Sequence, residues 1–314
     1  MKIVALAGGV GGAKLADGFA RLLPPENLTI IVNTGDDFEH WGLYISPDVD
    51  TVCYTLAGLS NPETGWGRTD ETFHTLEAVR LLGGETWFRL CDKDLATHIE
   101  RTRRLKAGQT LSQVTRQFCR SWSIGPTVLP MSDQPVRTMV DTVESGELAF
   151  QEYFVHRHCE PKVKGFRFAG IESARPAPGV REAIEQADVV VICPSNPWVS
   201  IDPILALTPP SAPLSRNSGE GTGVRAVIAV SPIIGGQTVK GPAAKMYAEL
   251  GIPPSALAVR RHYGNLLTGF VLDKVDAALA GETGLPTAIT NTVMKTPEDR
   301  RRLAQDVLDL IETL

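Results

Sequence analysis

Four short apolar runs, each broken at once by a polar turn, constrain this chain more than any other feature. Ile3-Val4-Ala5-Leu6-Ala7 runs into Gly8-Gly9-Val10-Gly11-Gly12, and Leu28-Thr29-Ile30-Ile31-Val32 into Asn33-Thr34-Gly35-Asp36-Asp37. Ala187 to Cys193 ends in Pro194-Ser195-Asn196-Pro197, and Ala226 to Val230 in Ser231-Pro232. Runs that are apolar throughout, rather than alternating, mark strands buried on both faces. Such strands belong to parallel sheets with helices on either side. The expectation is an α/β chain with a Rossmann-like, mainly parallel sheet, helices on both faces, and an inserted helical and β-hairpin subdomain.

The core is expected from residues 1–60 and 165–314, with the inserted segment at 61–164. In that segment Thr69 opens a helix to about Leu82, and Asp92 opens another with Leu95, Ile99 and Leu105 on its apolar side. Thr110-Leu111-Ser112-Gln113 is a capping box for a third. Val136 to Val143 and Leu148 to Val155 alternate like the arms of a hairpin. Arg101, Arg103, Arg104 and Lys106 read as a solvated helix face, and His156 and His158 as surface histidines. Pro209 to Gly223 is low in complexity and reads as a surface loop. Thr296-Pro297-Glu298-Asp299 caps a closing amphipathic helix.

Composition excludes several classes. With 314 residues, 43% hydrophobic and 21% charged, the chain is an ordinary globular one of one large or two modest domains. A net charge of −5 argues against nucleic acid as a partner, so any nucleotide must be caught by local groups. No apolar stretch is long enough for a membrane span. Five scattered cysteines without C-x-x-C spacing argue against zinc and fit a reducing cytoplasm.

Chemistry is expected at the strand ends, where open α/β sheets bind ligands. Asp36, Asp37, Asp48 and Asp50 lie between the end of one strand and a helix that Ser46-Pro47-Asp48 opens. Clustered carboxylates repel unless a cation or a basic substrate group compensates them, and an all-oxygen set suits Mg²⁺. Taken singly, each is also an ordinary turn or cap residue. The amides of Gly9, Gly11 and Gly12, with Lys14 beside them, can hold phosphates at a helix N-terminus; a tight turn for helix–strand packing is the alternative. Lys14 breaks the dinucleotide fingerprint, and Ala13-Lys14-Leu15 is not a P-loop. Ser195 and Asn196 can bond a base or ribose, or be a plain loop. Arg260-Arg261-His262, following another short strand, can meet a diphosphate or form a surface basic patch.

The runs GDDFEHWGLYISPDVDTVCYTLAG, AGGVGGAKLADG, GWGRTDET, WFRLCDKDLATH, PSNPWVSIDPIL, SPIIGG and RHYG together resemble the 2-phospho-L-lactate transferase (CofD) family of coenzyme F-420 biosynthesis. The resemblance spans nearly the whole chain, with the motifs in the family's order. It implies transfer of a phospho-carboxylate unit, 2-phospholactate or phosphoenolpyruvate, from a guanosine-diphosphate-activated donor. The implied acceptor is the ribityl hydroxyl of 7,8-didemethyl-8-hydroxy-5-deazariboflavin (Fo), and GMP is released with Mg²⁺ present. Asp50 and Arg89 match the positions the family uses for the deazaflavin. Cys91 and Lys93 depart from the family's usual glycine and arginine.

The expected site therefore has Asp50 and Asp37 as catalytic groups and Asp36, Asp37 and Asp50 as Mg²⁺ ligands. Asp50 and Arg89 take the deazaflavin, with the 61–164 segment on the acceptor side. Gly9, Gly11, Gly12, Lys14, Ser195, Asn196, Arg261 and His262 take the nucleotide. A cytoplasmic enzyme with small-molecule partners is expected, and a homodimer is left open. The alternative from another class is a non-catalytic nucleotide or nucleotide-sugar binding regulatory protein. A nicotinamide-dependent oxidoreductase is disfavoured, since the second strand ends in Asn33 rather than in an acid for a ribose.

Overall fold

The computed structural model describes residues 1–209 and 224–314, so nearly all of the expected loop at Pro209 to Gly223 lies outside the described residues. The chain opens with β1 (Ile3–Ala7), α1 (Gly9–Ala20) and β2 (Leu28–Val32), then a small hairpin of β3 (Phe38–His40) and β4 (Leu43–Ile45). Helices α2 (Pro47–Leu56), α3 (His74–Leu81), α4 (Asp92–Lys106) and α5 (Leu111–Ser121) follow. Next come β5 (Thr127–Pro130), β6 (Arg137–Thr142), β7 (Gly146–Ala149) and β8 (Val163–Ala169). The α/β rhythm returns with α6 (Val180–Glu185), β9 (Val189–Ile192), α7 (Asp202–Leu207) and β10 (Ala226–Val230). The short pair β11 (Ile233–Ile234) and β12 (Gln237–Thr238) precedes α8 (Ala243–Glu249) and α9 (Ala256–Tyr263). The chain closes with β13 (Gly269–Asp273), β14 (Thr287–Thr290) and α10 (Pro297–Glu312).

Seven strands form one parallel sheet in the order β14-β13-β10-β9-β1-β2-β5. The two side-chain faces of β1 define two cores. Ile3, Ala5 and Ala7 pack with Phe19, Val52, Leu303 and Val307 from α1, α2 and α10. Val4 and Leu6 pack with Ile184, Ile204, Tyr247 and Val259 from α6 to α9. This two-sided burial is why the strand runs are apolar throughout. The chain leaves β1 for β2 and β5 on one side, then returns to β9 on the other. The strand order thus reverses between β1 and β9, and the crevice at their C-terminal ends is the topological switch point.

Several boundaries differ from those the sequence predicts. β5 falls inside the expected insertion yet pairs with β2 as the sheet's edge strand, so 61–164 is interrupted by a core strand. Helix α3 starts at His74 rather than Thr69, because its N-terminal amides on His74 and Thr75 are capped from outside by the Asp92 carboxylate. The hairpin's second arm ends at Ala149, and His156 sits in a short helical turn, paired with Glu152 at 2.7 Å. Arg260 to Tyr263 is the end of helix α9, capped by Ser255, and not a loop after a strand. The capping boxes at Thr110 and Thr296 form as expected.

The glycines after β1 are helical rather than a loop: α1 begins at Gly9. A Cβ on Gly11 would stand 2.2 Å from the Pro194 carbonyl oxygen, and one on Gly12 would stand 2.6 Å from Ser195 Oγ. Lack of a side chain lets this helix press against the turn after β9. Gly11→Ala is expected to cost about 1–3 kcal/mol, since a backbone oxygen cannot yield as a flexible side chain can. Urea unfolding of Gly11→Ala beside Gly281→Ala, where a Cβ meets nothing within 4 Å, checks this.

Candidate active site

A cavity of about 750 Å³ opens over the β1/β9 crevice. Its floor is Gly8, Gly9 and Gly11 from the start of α1 and Pro194, Ser195 and Asn196 from the turn after β9. Asp36, Asp48 and Asp50 form one wall. Trp66, Trp87, Phe88, Phe150 and Phe154 give it an aromatic lining, and Arg89 borders it as well.

The four aspartates differ sharply in their surroundings. Asp50, in the first turn of α2, takes both bonds of the Arg101 guanidinium, one at 3.0 Å, in a pair that is buried on both sides. Burial raises the Asp50 carboxyl above its ordinary value, and Arg101 and His98 offset part of that. Behind the pair, His98 lies 3.2 Å from Asp94, which accepts a 2.6 Å bond from the Tyr54 hydroxyl. His98, Tyr54 and Arg101 outweigh burial there and hold Asp94 below the usual carboxylate range.

Asp37 faces away from the main cavity into an adjoining cleft of about 250 Å³. It accepts from Ser46 Oγ at 2.8 Å and from Tyr44 Oη at 2.9 Å. Burial pushes it up to about 7 against the opposing pull of Arg137, Ser46 and Tyr44. Ser46 therefore spends its hydroxyl on Asp37 rather than capping α2 as its position suggested. Asp48 is held from two sides, by the Gly9 amide at 2.7 Å and the Asn33 side-chain amide at 2.9 Å. Asp36 is 5% exposed, and its Oδ1 has no partner among the described residues. Burial and then the Asp48 charge push it well above its ordinary value.

The expected Mg²⁺ set of Asp36, Asp37 and Asp50 is thus not gathered around one point. Among the expected nucleotide groups, Gly9, Gly11, Ser195 and Asn196 border the cavity. Ser195 bridges to the Gly8 backbone, and Asn196 caps the next turn through the Trp198 amide. Gly12 is buried against Ser195, and Lys14 turns away to donate to the Met294 carbonyl at 2.7 Å. Arg261 is exposed, and His262 bonds Asp202 at 2.8 Å; neither borders the cavity. Arg89 does, its guanidinium 4.6 Å from the Phe73 ring centre. The departures Cys91 and Lys93 stand just behind it, Cys91 buried and Lys93 donating to the Asp70 carbonyl at 2.7 Å.

Helix α4 is turned over relative to the expectation. Its buried stripe is Asp94, Thr97, His98, Arg101 and Thr102, while Ile99 of the expected apolar side is 50% exposed. Arg101, read as solvated, is 1% exposed. The signal was present as polar residues at positions 94, 98 and 101, at i, i+4 and i+7, which is one helix face. It was outvoted by the rule that apolar stripes face inward, and here the inward side is a polar cavity wall. Lys240, which lines the cavity and donates to the Thr64 carbonyl, carried no signal in the sequence.

Among the described residues no helix is long and apolar enough to cross a membrane. A solved structure of a UPF0052 family member from Bacillus halodurans shares the fold, with a TM-score of 0.61, 16% identity and coverage of 98% of this chain and 99% of that one. A phosphoenolpyruvate transferase of Streptomyces griseus subsp. griseus is 44% identical over 320 residues, covering 99% of both chains. A 2-phospho-L-lactate transferase of Methanosarcina acetivorans is 39% identical over 315 residues, covering 99% of this chain and 100% of that protein. The family model described as 2-phospho-L-lactate transferase CofD matches residues 3–312. With its sheet, its strand-end cavity and its relatives in agreement over almost the full length, the chain belongs to the CofD family of transferases.

Proposed function

We propose that this enzyme moves a phospho-carboxylate unit from a guanosine-diphosphate-activated donor to the ribityl hydroxyl of Fo, in coenzyme F-420 biosynthesis. One observation carries the reading: a single cavity joins a helix N-terminus at the switch point to an aromatic lining, Arg89 and Asp50. The first-turn amides of α1 after Gly9, whose own amide bonds Asp48, lack intrahelical partners and suit the donor's diphosphate. The aromatic lining, which includes the stacked Phe150 and Phe154 rings, suits a planar tricyclic acceptor. The hydroxyl oxygen attacks the phosphorus that bears the acid, the bond from that phosphorus to the GMP oxygen breaks, and GMP leaves. Such a reaction needs positioning and charge neutralisation more than covalent help. Asp50, immobilised by Arg101, orients the attacking hydroxyl. Mg²⁺, when bound, would neutralise charge on the phosphoryl oxygens, and the unpartnered Asp36 oxygen is the feature that fits it.

The donor acid is either enolpyruvate or lactate, matching the two names carried by the relatives. Cytoplasmic placement belongs to the same proposal. Arg89→Ala is expected to weaken Fo binding about tenfold or more, the size of one lost charged contact, and to leave guanosine diphosphate affinity unchanged. Fluorescence titration with Fo and calorimetry with guanosine diphosphate measure the two. An unchanged Fo affinity removes Arg89 from the acceptor side. Binding of both ligands without turnover would favour the regulatory alternative.

A further inference from the structure

We infer that Cys53 and Cys119 form a reversible dithiol–disulfide site, at which hydrogen peroxide joins helices α2 and α5 through a covalent bond. Their sulfurs lie 3.9 Å apart, and both residues are buried. The two thiols stand 66 residues apart in the chain and meet in the core on one face of the sheet, with Val49, Val52 and Val128. An isolated buried cysteine acts as a small apolar group. Two sulfurs in contact have a further option, since a disulfide needs them at about 2.0 Å. Cys119 stands in the last turn of α5, which ends at Ser121, so side-chain rotation and a small shift of a helix end close the gap.

Cys119 is the entry point, being 7% exposed against 2% for Cys53. By donating to it, the Cys53 thiol holds Cys119 below the ordinary thiol value; the same bond and burial raise Cys53 well above it. The thiolate is the nucleophile. The Cys119 sulfur attacks one peroxide oxygen and the O–O bond breaks. Cys119 becomes a sulfenic acid, and its proton leaves with the departing hydroxide as water. The Cys53 sulfur then displaces the sulfenic hydroxyl, its own proton leaves with that hydroxyl as a second water, and the S–S bond forms. The two sulfurs lose two electrons between them and the peroxide gains two. A dithiol reductant reverses the bond by exchange. Between the joined residues lie Trp66, Trp87, Phe88 and Arg89, all bordering the cavity. The bond therefore ties both ends of that segment to the core, and long loops gain most from such a tie.

Neither thiol is among the groups placed on the substrates, so turnover plays no part in the experiment. The folded protein is treated with hydrogen peroxide, its remaining thiols are alkylated, and a digest is mapped by mass spectrometry. The expected product is a pair of peptides joined through Cys53 and Cys119, lighter by two hydrogens than the two thiol peptides together and separated again by dithiothreitol. Cys53→Ala and Cys119→Ser each abolish the joined pair. The oxidised wild type is expected to melt roughly 3 °C or more above its reduced form, a gain that both variants lack. Alkylation of both cysteines after peroxide treatment overturns the assignment. So does Cys119 carried on to a sulfinic acid with Cys53 still a thiol, or a joined protein that melts at or below the reduced one. Should a variant fail to fold, the wild-type map and melting points decide by themselves.

Discussion

Arg101→Met is expected to lower stability by about 3–5 kcal/mol, the cost of leaving a buried carboxylate without its partner. Asp50 is 5% exposed at the edge of the cavity, so water can replace the guanidinium only in part. Urea unfolding measures the loss. The double variant Arg101→Met with Asp50→Leu is expected to recover part of it, since an apolar pair no longer strands a charge. A loss below about 1 kcal/mol would mean that the guanidinium is solvated, as the basic run around it suggests.

The second large effect is on rate. Asp50→Asn keeps the shape of the side chain and removes its charge, and turnover is expected to fall on the order of a hundredfold or more, typical of losing one preorganised electrostatic contact. Arg101 then faces a neutral amide, so stability falls as well, and the comparison belongs at a temperature where both proteins are folded. GMP release at saturating substrate is the readout. Normal turnover would make Asp50 a helix-terminus residue whose only task is to pair with Arg101.

The fold was legible because its physics is local. Strands buried on both faces must be apolar throughout, and Ile3 to Ala7 or Val189 to Ile192 cannot be read otherwise. The edge strand Thr127–Pro130 was missed because four residues ending in proline carry little pattern. The strand-end location of the site followed from the same logic, and Asp36, Asp50, Gly9, Gly11, Ser195 and Asn196 all border the cavity. What sequence could not sort was which aspartate is compensated, because the partners come from distant segments. Arg101 meets Asp50 from 51 residues away, and neither end signals the other. Asp48 looked like a first-turn acid, and only the fold brings the Gly9 amide and Asn33 to it. Arg261 and His262 were drawn in by charge alone, and helix α9 carries them away from the crevice.

The most direct test of the transferase reading is a product analysis. Purified protein, Mg²⁺ and Fo are incubated with the enolpyruvyl or the lactyl guanosine-diphosphate donor, and the mixture is resolved by mass spectrometry. The expected result is one GMP released for each Fo consumed, with Fo gaining the mass of a phospho-carboxylate unit. Guanosine nucleotide bound by the protein, with neither GMP nor an Fo adduct formed from either donor, would contradict it.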